Sequence, residues 1–188
     1  MAVIRYRHTL YTPGDDVKGT LDALPRGAGK SIDVEIYGLT DTALIGEMIE
    51  AARRGVHVRV NNDRSQSAGS ADKAALQMLV DAGLPNIEVR VTESERGAID
   101  HLKLLILDGE DGAMANSSAV AYGSYNFSSN AALQDNVFVV TNDPGEVAQA
   151  MAKFDHDWTA NKSLPQWQIQ PSGKEQGDGK AKEPTPEA

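Results

Sequence analysis

The sequence contains no cysteine among its 188 residues. That excludes disulfides, thiolate metal sites and a cysteine nucleophile, so any reaction must be run by oxygen and nitrogen groups. It also lacks an apolar run of the roughly 18 to 20 residues that a membrane-spanning helix needs, and it reads as a soluble protein. The opening Met1-Ala2-Val3-Ile4-Arg5-Tyr6-Arg7-His8 mixes charges into a short apolar stretch, without the basic, apolar and small-residue order of a secretory signal. A cytoplasmic location is the expectation. Positive charge is scarce: 18 Lys and Arg stand against 27 Asp and Glu, for a formal net charge of -9. Nonspecific nucleic-acid binders usually carry a basic footprint that displaces counterions, so the overall balance argues against one and leaves the matter to local distribution. The acidity belongs to the body of the chain, because from Ser163 onward three lysines face four acidic residues.

What is present fits one α/β domain, with no room for a second catalytic domain. Ser31-Ile32-Asp33-Val34-Glu35-Ile36-Tyr37 alternates apolar and polar residues; Asp41 then precedes Leu44, Ile45, Met48, Ile49 and Ala52 at helical spacing. Gly55 stands where a left-handed C-cap belongs, and Val56-His57-Val58-Arg59-Val60 resumes the period of two. A right-handed βαβ unit is the simplest account. A second helix is predicted from Ala71 to about Ala82, ended by Gly83, and Ile87-Glu88-Val89-Arg90-Val91 gives another strand. Leu102 to Leu107 and Ala119 to Tyr122 read as a hairpin joined by the turn-rich stretch Gly109 to Ser118. After the strand Val137-Phe138-Val139-Val140-Thr141, the residues Asp143, Pro144 and Glu146 make an N-cap, an N1 proline and an N3 partner. The helix they open should run to about Ala160, with Val147, Met151, Phe154 and Trp158 as a core-facing seam. The fold class is therefore α/β, a mixed sheet flanked by helices, over residues 1–162. Residues 163–188, rich in Pro, Gly, Gln, Lys and Glu, read as a disordered tail from which only Trp167 and Ile169 could dock back.

His101 and Lys103 are two apart in the hairpin, and Ser124 and Asn126 repeat that spacing at the end of the next strand. Paired antiparallel, the strands bring an imidazole, an ammonium, a hydroxyl and a carboxamide to one patch. That set suits a phosphate. Lysine supplies a positive point charge, serine and asparagine hydrogen-bond nonbridging oxygens, and histidine can attack phosphorus or protonate a leaving oxygen. The pattern places no carboxylate among the four, and Mg²⁺ or Ca²⁺ needs oxygen ligands that usually include one, so it points away from metal catalysis. Taken singly each residue has a plainer explanation, as a structural histidine, a solvated strand lysine or a turn; the combined spacing is what lifts them. His57, within an alternating strand, and His156, between Asp155 and Asp157, read as surface residues. Arg53, Arg54, Arg59, Arg64 and Lys73 could form a basic rim for a polyanion, though ordinary surface charge explains them equally well.

His101-Leu102-Lys103, then four residues and Asp108, then after a loop Gly123-Ser124-Tyr125-Asn126, resembles the signature of the phospholipase D superfamily. From about Tyr11 to Trp158 the layout is similar to its small single-motif nucleases, including Tyr37-Gly38-Leu39-Thr40 and Arg54-Gly55-Val56-His57-Val58. Two departures stand out. Fourteen residues separate Asp108 from Gly123, more than the family usually has, and the excess falls in Gly109 to Ser118 as an extension of the hairpin. Asp135 precedes Asn136 where the family tends to have the longer Glu, whose role is to bond and orient an active-site histidine.

The resemblance implies a phospholipase D-like fold and a two-step mechanism in which one histidine forms a phosphohistidine and a second protonates the leaving oxygen. It makes His101, Lys103, Ser124, Asn126 and Asp135 the catalytic set, with Asp108 and Gly123 in support, and it calls for no metal or cofactor. Two motifs are needed per site. Among His8, His57, His101 and His156 only His101 is followed by Lys at the second position, so the second half must come from another chain in a twofold homodimer. The expectation is a metal-independent endonuclease cleaving DNA, with RNA as the other polymer, without stable membrane association. A phosphodiesterase acting on a phospholipid or small diester is the alternative, followed by a noncatalytic binding protein on the same fold.

Overall fold

Alternating runs and short apolar runs both form strands: Arg7–Thr12 (β1), Ser31–Ile36 (β2), His57–Asp63 (β3), Ile87–Thr92 (β4), Lys103–Leu107 (β5), Ala119–Gly123 (β6) and Asn136–Thr141 (β7). The protein is described here from a computed structural model covering residues 5–67, 69–92, 99–109 and 118–160. The seven strands make one mixed sheet in the order β1-β7-β6-β5-β2-β3-β4. β2, β3 and β4 are parallel, with Val34 opposite Val60 and Val60 opposite Val89, as a βαβ reading requires. The remaining pairings are antiparallel, and in the β5–β6 hairpin Leu104 faces Tyr122 and Leu107 faces Ala119. The excess residues 110–117 between these strands, and the tail with Trp167 and Ile169, lie outside the described residues.

Among the described residues five α-helices flank the sheet: Val17–Ala23 (α1), Thr42–Arg53 (α2), Arg64–Ser67 (α3), Ser70–Asp81 (α4) and Pro144–Ala160 (α5). Asp41 starts α2 by accepting from the amides of Ala43 and Leu44, at 3.0 and 3.4 Å. Leu44, Ile45, Met48, Ala51 and Ala52 then turn inward onto Ile32, Val34, Val58 and Val60, and with Leu21 of α1 and Leu76 and Leu79 of α4 they form the main core on one face. The opposite face belongs to α5, whose expected seam of Val147, Met151, Phe154 and Trp158 packs on Leu104, Ile106 and Val120. Among the described residues no helix is long and apolar enough to cross a membrane.

The predicted start of α5 is right in one half and wrong in the other. Asp143 Oδ1 accepts from the amides of Gly145 and Glu146, at 2.9 and 3.0 Å, as an N-cap should. Glu146 does not reach back to close a capping box; its carboxylate pairs with Arg7 of β1 and accepts from the Tyr122 hydroxyl. The guanidinium and phenol outcompete a backbone amide that the Thr141 hydroxyl already accepts, at 3.1 Å. β1 and α1 carry no strong sequence signal, since β1 is an edge strand with only Thr12 buried.

Candidate active site

The directions of the strands bring the candidate residues His101, Lys103, Ser124, Asn126 and Asp135 to one edge of the sheet. β2 and β3 end there; β5 and β7 run against β2 and begin there; β6 ends there. In α/β sheets ligands bind outside the carboxyl ends of parallel strands, and this edge offers those ends.

β5 begins at Lys103, so His101 does not share a strand with Lys103 as its spacing suggests. Leu102 instead spends its amide on Asp100 Oδ1, at 3.2 Å, while its carbonyl still accepts from Tyr37 at 2.9 Å. That leaves His101 exposed on the approach to β5, with its ring meeting Tyr37 edge-on at 4.7 Å between centroids. Lys103 is buried; its Nζ donates to the His101 carbonyl at 2.8 Å and lies 4.9 Å from the centre of the Tyr37 ring. Tyr37 thus supports both residues, and its hydroxyl accepts from Gln66 Nε2 at 2.8 Å. Burial pushes the Lys103 ammonium below its ordinary value, and the charges of Asp100 and Asp63 pull it back up.

The acids near Lys103 correct the expectation of a patch without carboxylates. Asp100 adjoins His101 in the chain, and β3 delivers Asp63 to the same place, a nonlocal juxtaposition that spacing does not reveal. Both are committed to the protein. Asp100 Oδ2 accepts from the Thr92 hydroxyl at 3.3 Å, and Asp63 accepts from the Asp100 amide at 2.7 Å and from the Ser65 amide at 2.8 Å. Among the described residues no group of three or more His, Cys, Asp or Glu could hold a metal ion.

Beyond β6 the chain turns through Ser124, Tyr125 and Asn126. Ser124 is exposed; its Oγ accepts from the Val137 amide at 3.1 Å and donates to Asn136 Oδ1 at 3.2 Å. Asn126 is half-buried, and its Oδ1 is buried with no hydrogen-bond partner among the described residues. Gly123 is required by a close approach, because a Cβ there would stand 2.1 Å from the Val137 carbonyl oxygen. Asp135 is exposed at the entry to β7 and makes no hydrogen bond to His101 within the chain. Asp108 lies at the other end of β5, where its carboxylate accepts from the amides of Gly29, Lys30 and Ser31 at 2.7 to 3.1 Å and anchors the start of β2.

A groove of about 400 Å³ runs between this edge and α5 and brings His101 and Lys103 together with Gly123 and Tyr122, opposite Gln149 and Lys153. Ser124, Asn126 and Asp135 stand on adjoining turns and do not line it. The basic rim is smaller than the sequence suggests. Arg59 is buried against α5, paired with Asp33 at 2.6 Å and 4.8 Å from the Phe154 ring centre, because its strand face is covered and not solvated. Arg53 and Arg54 end α2 at the opposite edge, Arg53 paired with Glu50 and Arg54 donating to the Pro25 carbonyl. Arg64 and Lys73, exposed on α3 and α4, remain at the site edge. His57 meets Glu88 at 3.1 Å and His156 meets Asp157 at 2.8 Å, both at the surface. Sequence reasoning missed Tyr37, Asp63 and Asp100 as neighbours of the site, and Glu35 beneath it; the alternation of β2 marks Asp33 and Glu35 as a solvent face, yet both are fully buried.

The family model for the PLD-like domain of cardiolipin synthase matches residues 23–158. The fold is similar to that of Nuc from Salmonella typhimurium, a phospholipase D family member, with a TM-score of 0.72 at 23% identity, covering 83% of this chain and 95% of that one. It is similar to NucT from Helicobacter pylori, with a TM-score of 0.70 at 19% identity, covering 83% and 97%. TrmBL2, an archaeal chromatin protein with a novel mode of DNA binding, matches with a TM-score of 0.56 at 20% identity, covering 85% of this chain and 54% of its own. No curated protein sequence matches significantly.

Proposed function

The chain belongs to the phospholipase D-like family and is a phosphodiester hydrolase of that family, and we propose that it is a nuclease cleaving DNA without a divalent ion, at a site completed by a second copy of the chain. The observation that carries this reading is the pair His101 and Lys103, an exposed imidazole braced on Tyr37 beside a lysine held at the wall of a groove, present once per chain. A nitrogen of His101 attacks phosphorus, a P–N bond forms and the P–O bond to the leaving group breaks, and the leaving oxygen takes a proton from the partner's His101. Water then attacks the phosphohistidine, giving its proton to that second imidazole and releasing His101. Lys103 neutralises the nonbridging oxygens, and the Ser124 hydroxyl and the Asn126 Nδ2 donate hydrogen bonds to them. Asp135 orients an imidazole of the assembled site. Asp63 and Asp100, already engaged as acceptors, support catalysis by lysine and hydrogen bonds over a metal cluster.

DNA is favoured because the fold spans nearly the whole of Nuc and NucT, chains of similar length, and because TrmBL2 puts a DNA-binding protein on the same architecture. A cytoplasmic site of action accords with that substrate. The second reading is a phospholipid substrate, favoured by the family model's name, cardiolipin synthase. Supercoiled plasmid, single-stranded DNA, RNA and phospholipid vesicles tested side by side in excess EDTA decide between them. Nicking of plasmid is expected; release of phosphatidate from vesicles without nicking would establish the lipid reading. Activity abolished by EDTA and restored by Mg²⁺ would sink the mechanism, and inertness toward bis-p-nitrophenyl phosphate would leave a binding protein.

A further inference from the structure

Beneath the site the sheet buries an acid that the reaction does not use. Glu35, in β2, is fully buried on the face that α5 covers. From β3, Asn61 Nδ2 approaches its Oε1 at 3.4 Å. From α5, Lys153 Nζ stands 3.9 Å from the same oxygen while pairing with Asp157. β5 offers only the apolar Leu104, opposite Glu35 in the register. The other oxygen, Oε2, is buried and receives no donor, and Glu35 faces the carboxyl of Asp100, itself nearly buried. Asp63, at the end of β3, holds the Asp100 amide and completes the acidic group.

Two carboxylates in contact out of water cannot both carry charge, whereas a carboxyl and a carboxylate share one proton in a strong hydrogen bond. Burial first, and the Asp100 charge second, push Glu35 from its ordinary 4.5 up to about 8. Asp100 is the residue before His101, and its carboxylate already accepts from the Leu102 amide and the Thr92 hydroxyl. Whatever fixes Asp100 therefore fixes the segment that presents His101 and Lys103.

We propose that Glu35 is a positioning residue for the phosphodiester reaction: in its protonated form it donates a hydrogen bond to Asp100 and holds residues 100–103 in the geometry that the chemistry needs. The inference rests on the assignment of His101 and Lys103 as reacting groups. When the shared proton leaves, a second negative charge appears beneath the segment, Asp100 is repelled and the alignment of the imidazole and ammonium is lost. Lys103 loses its own charge as pH rises, so the alkaline side of the profile has two contributors that variants must separate.

The experiment is the pH profile of bis-p-nitrophenyl phosphate hydrolysis by the wild type, E35Q and D100N between pH 6 and pH 10. With a single proton leaving near pH 8, wild-type activity is expected to fall about tenfold from pH 7 to pH 9. In E35Q the amide donates to Asp100 at every pH, and in D100N the new amide donates to the Glu35 carboxylate. Both variants should lose the limb near pH 8 that belongs to Glu35 and keep only the one due to Lys103. A limb near pH 8 unchanged in both variants would overturn the proposal. A second measurement follows the Glu35 side-chain carbon by ¹³C NMR in the wild type, where a midpoint near 8 supports the shared proton and one near 4.5 overturns it. Because the NMR titration needs no turnover, a wild type inert toward every diester would defeat the proposed activity while the shared proton was still decided.

Discussion

Asp108 shows how much one side chain can organise from outside a site. It adopts a left-handed φ of +48° and turns its carboxylate onto three successive backbone amides at the start of β2. Asp108→Ala leaves the buried Ser31 amide without its acceptor, at about 1 to 3 kcal/mol, and hands the part-buried Gly29 and Lys30 amides to water, so a loss on the order of 2 kcal/mol is expected in urea unfolding. Turnover per folded molecule should change little, because the five-residue step from Lys103 puts Asp108 about 17 Å away along β5. Glu35 has the opposite signature. Its acid form is favoured in the folded protein, so its contribution to stability is complete below its ordinary value of 4.5 and is lost as pH rises through about 8. Urea midpoints of the wild type should therefore fall between pH 5 and pH 8.5 relative to those of E35Q; parallel curves would refute the sign.

At the scale of an element, α5 unites packing and function. Its inner seam closes one face of the sheet over Leu104, Ile106 and Val120, and its flank supplies Gln149 and Lys153 to the groove beside His101. Phe154 is fully buried, stacks on Trp158 at 5.5 Å and lies under the Arg59 guanidinium. Phe154→Ala is expected to cost about 3 to 5 kcal/mol, read as a lowered urea midpoint, since it opens a cavity and strips apolar cover from the buried Arg59–Asp33 pair. A change under 1 kcal/mol would mean that α5 collapses onto the sheet without it. The seam was legible in the sequence because helical spacing alone generates it. The destination of Glu146 was not, because Arg7 lies at the other end of the chain and only the pairing of β1 with β7 brings it near.

For the whole molecule, the single His-x-Lys pair makes assembly and activity one question. If His101 is nucleophile in one chain and acid for the other, one substituted chain disables full turnover in the dimer. Refolding equal amounts of wild type and His101→Ala together gives about a quarter wild-type, a half mixed and a quarter mutant dimers by random pairing. A shared site predicts about a quarter of the activity of an all-wild-type preparation at the same total protein, and independent sites about half. The mixed dimer keeps a nucleophile without its acid, so a diester whose leaving group needs no proton should label His101 as an acid-labile phosphohistidine. A fully active monomer by sedimentation would contradict the shared site.

The sequence by itself determined whatever depends on near neighbours in the chain: the βαβ alternation, the Asp41 and Asp143 caps, the hairpin, the α5 seam, and the spacing that singles out His101, Lys103, Ser124 and Asn126. Only the tertiary structure decided which polar faces meet water. The alternation of β2 and β3 makes Asp33, Glu35 and Arg59 look like solvated residues, and they would be if that face were open. A helix from the far end of the chain lies across it, so Arg59 must pair with Asp33 and Glu35 must keep its proton beside Asp100. Burial of a strand's second face depends on what packs there, and no pattern within the strand records that.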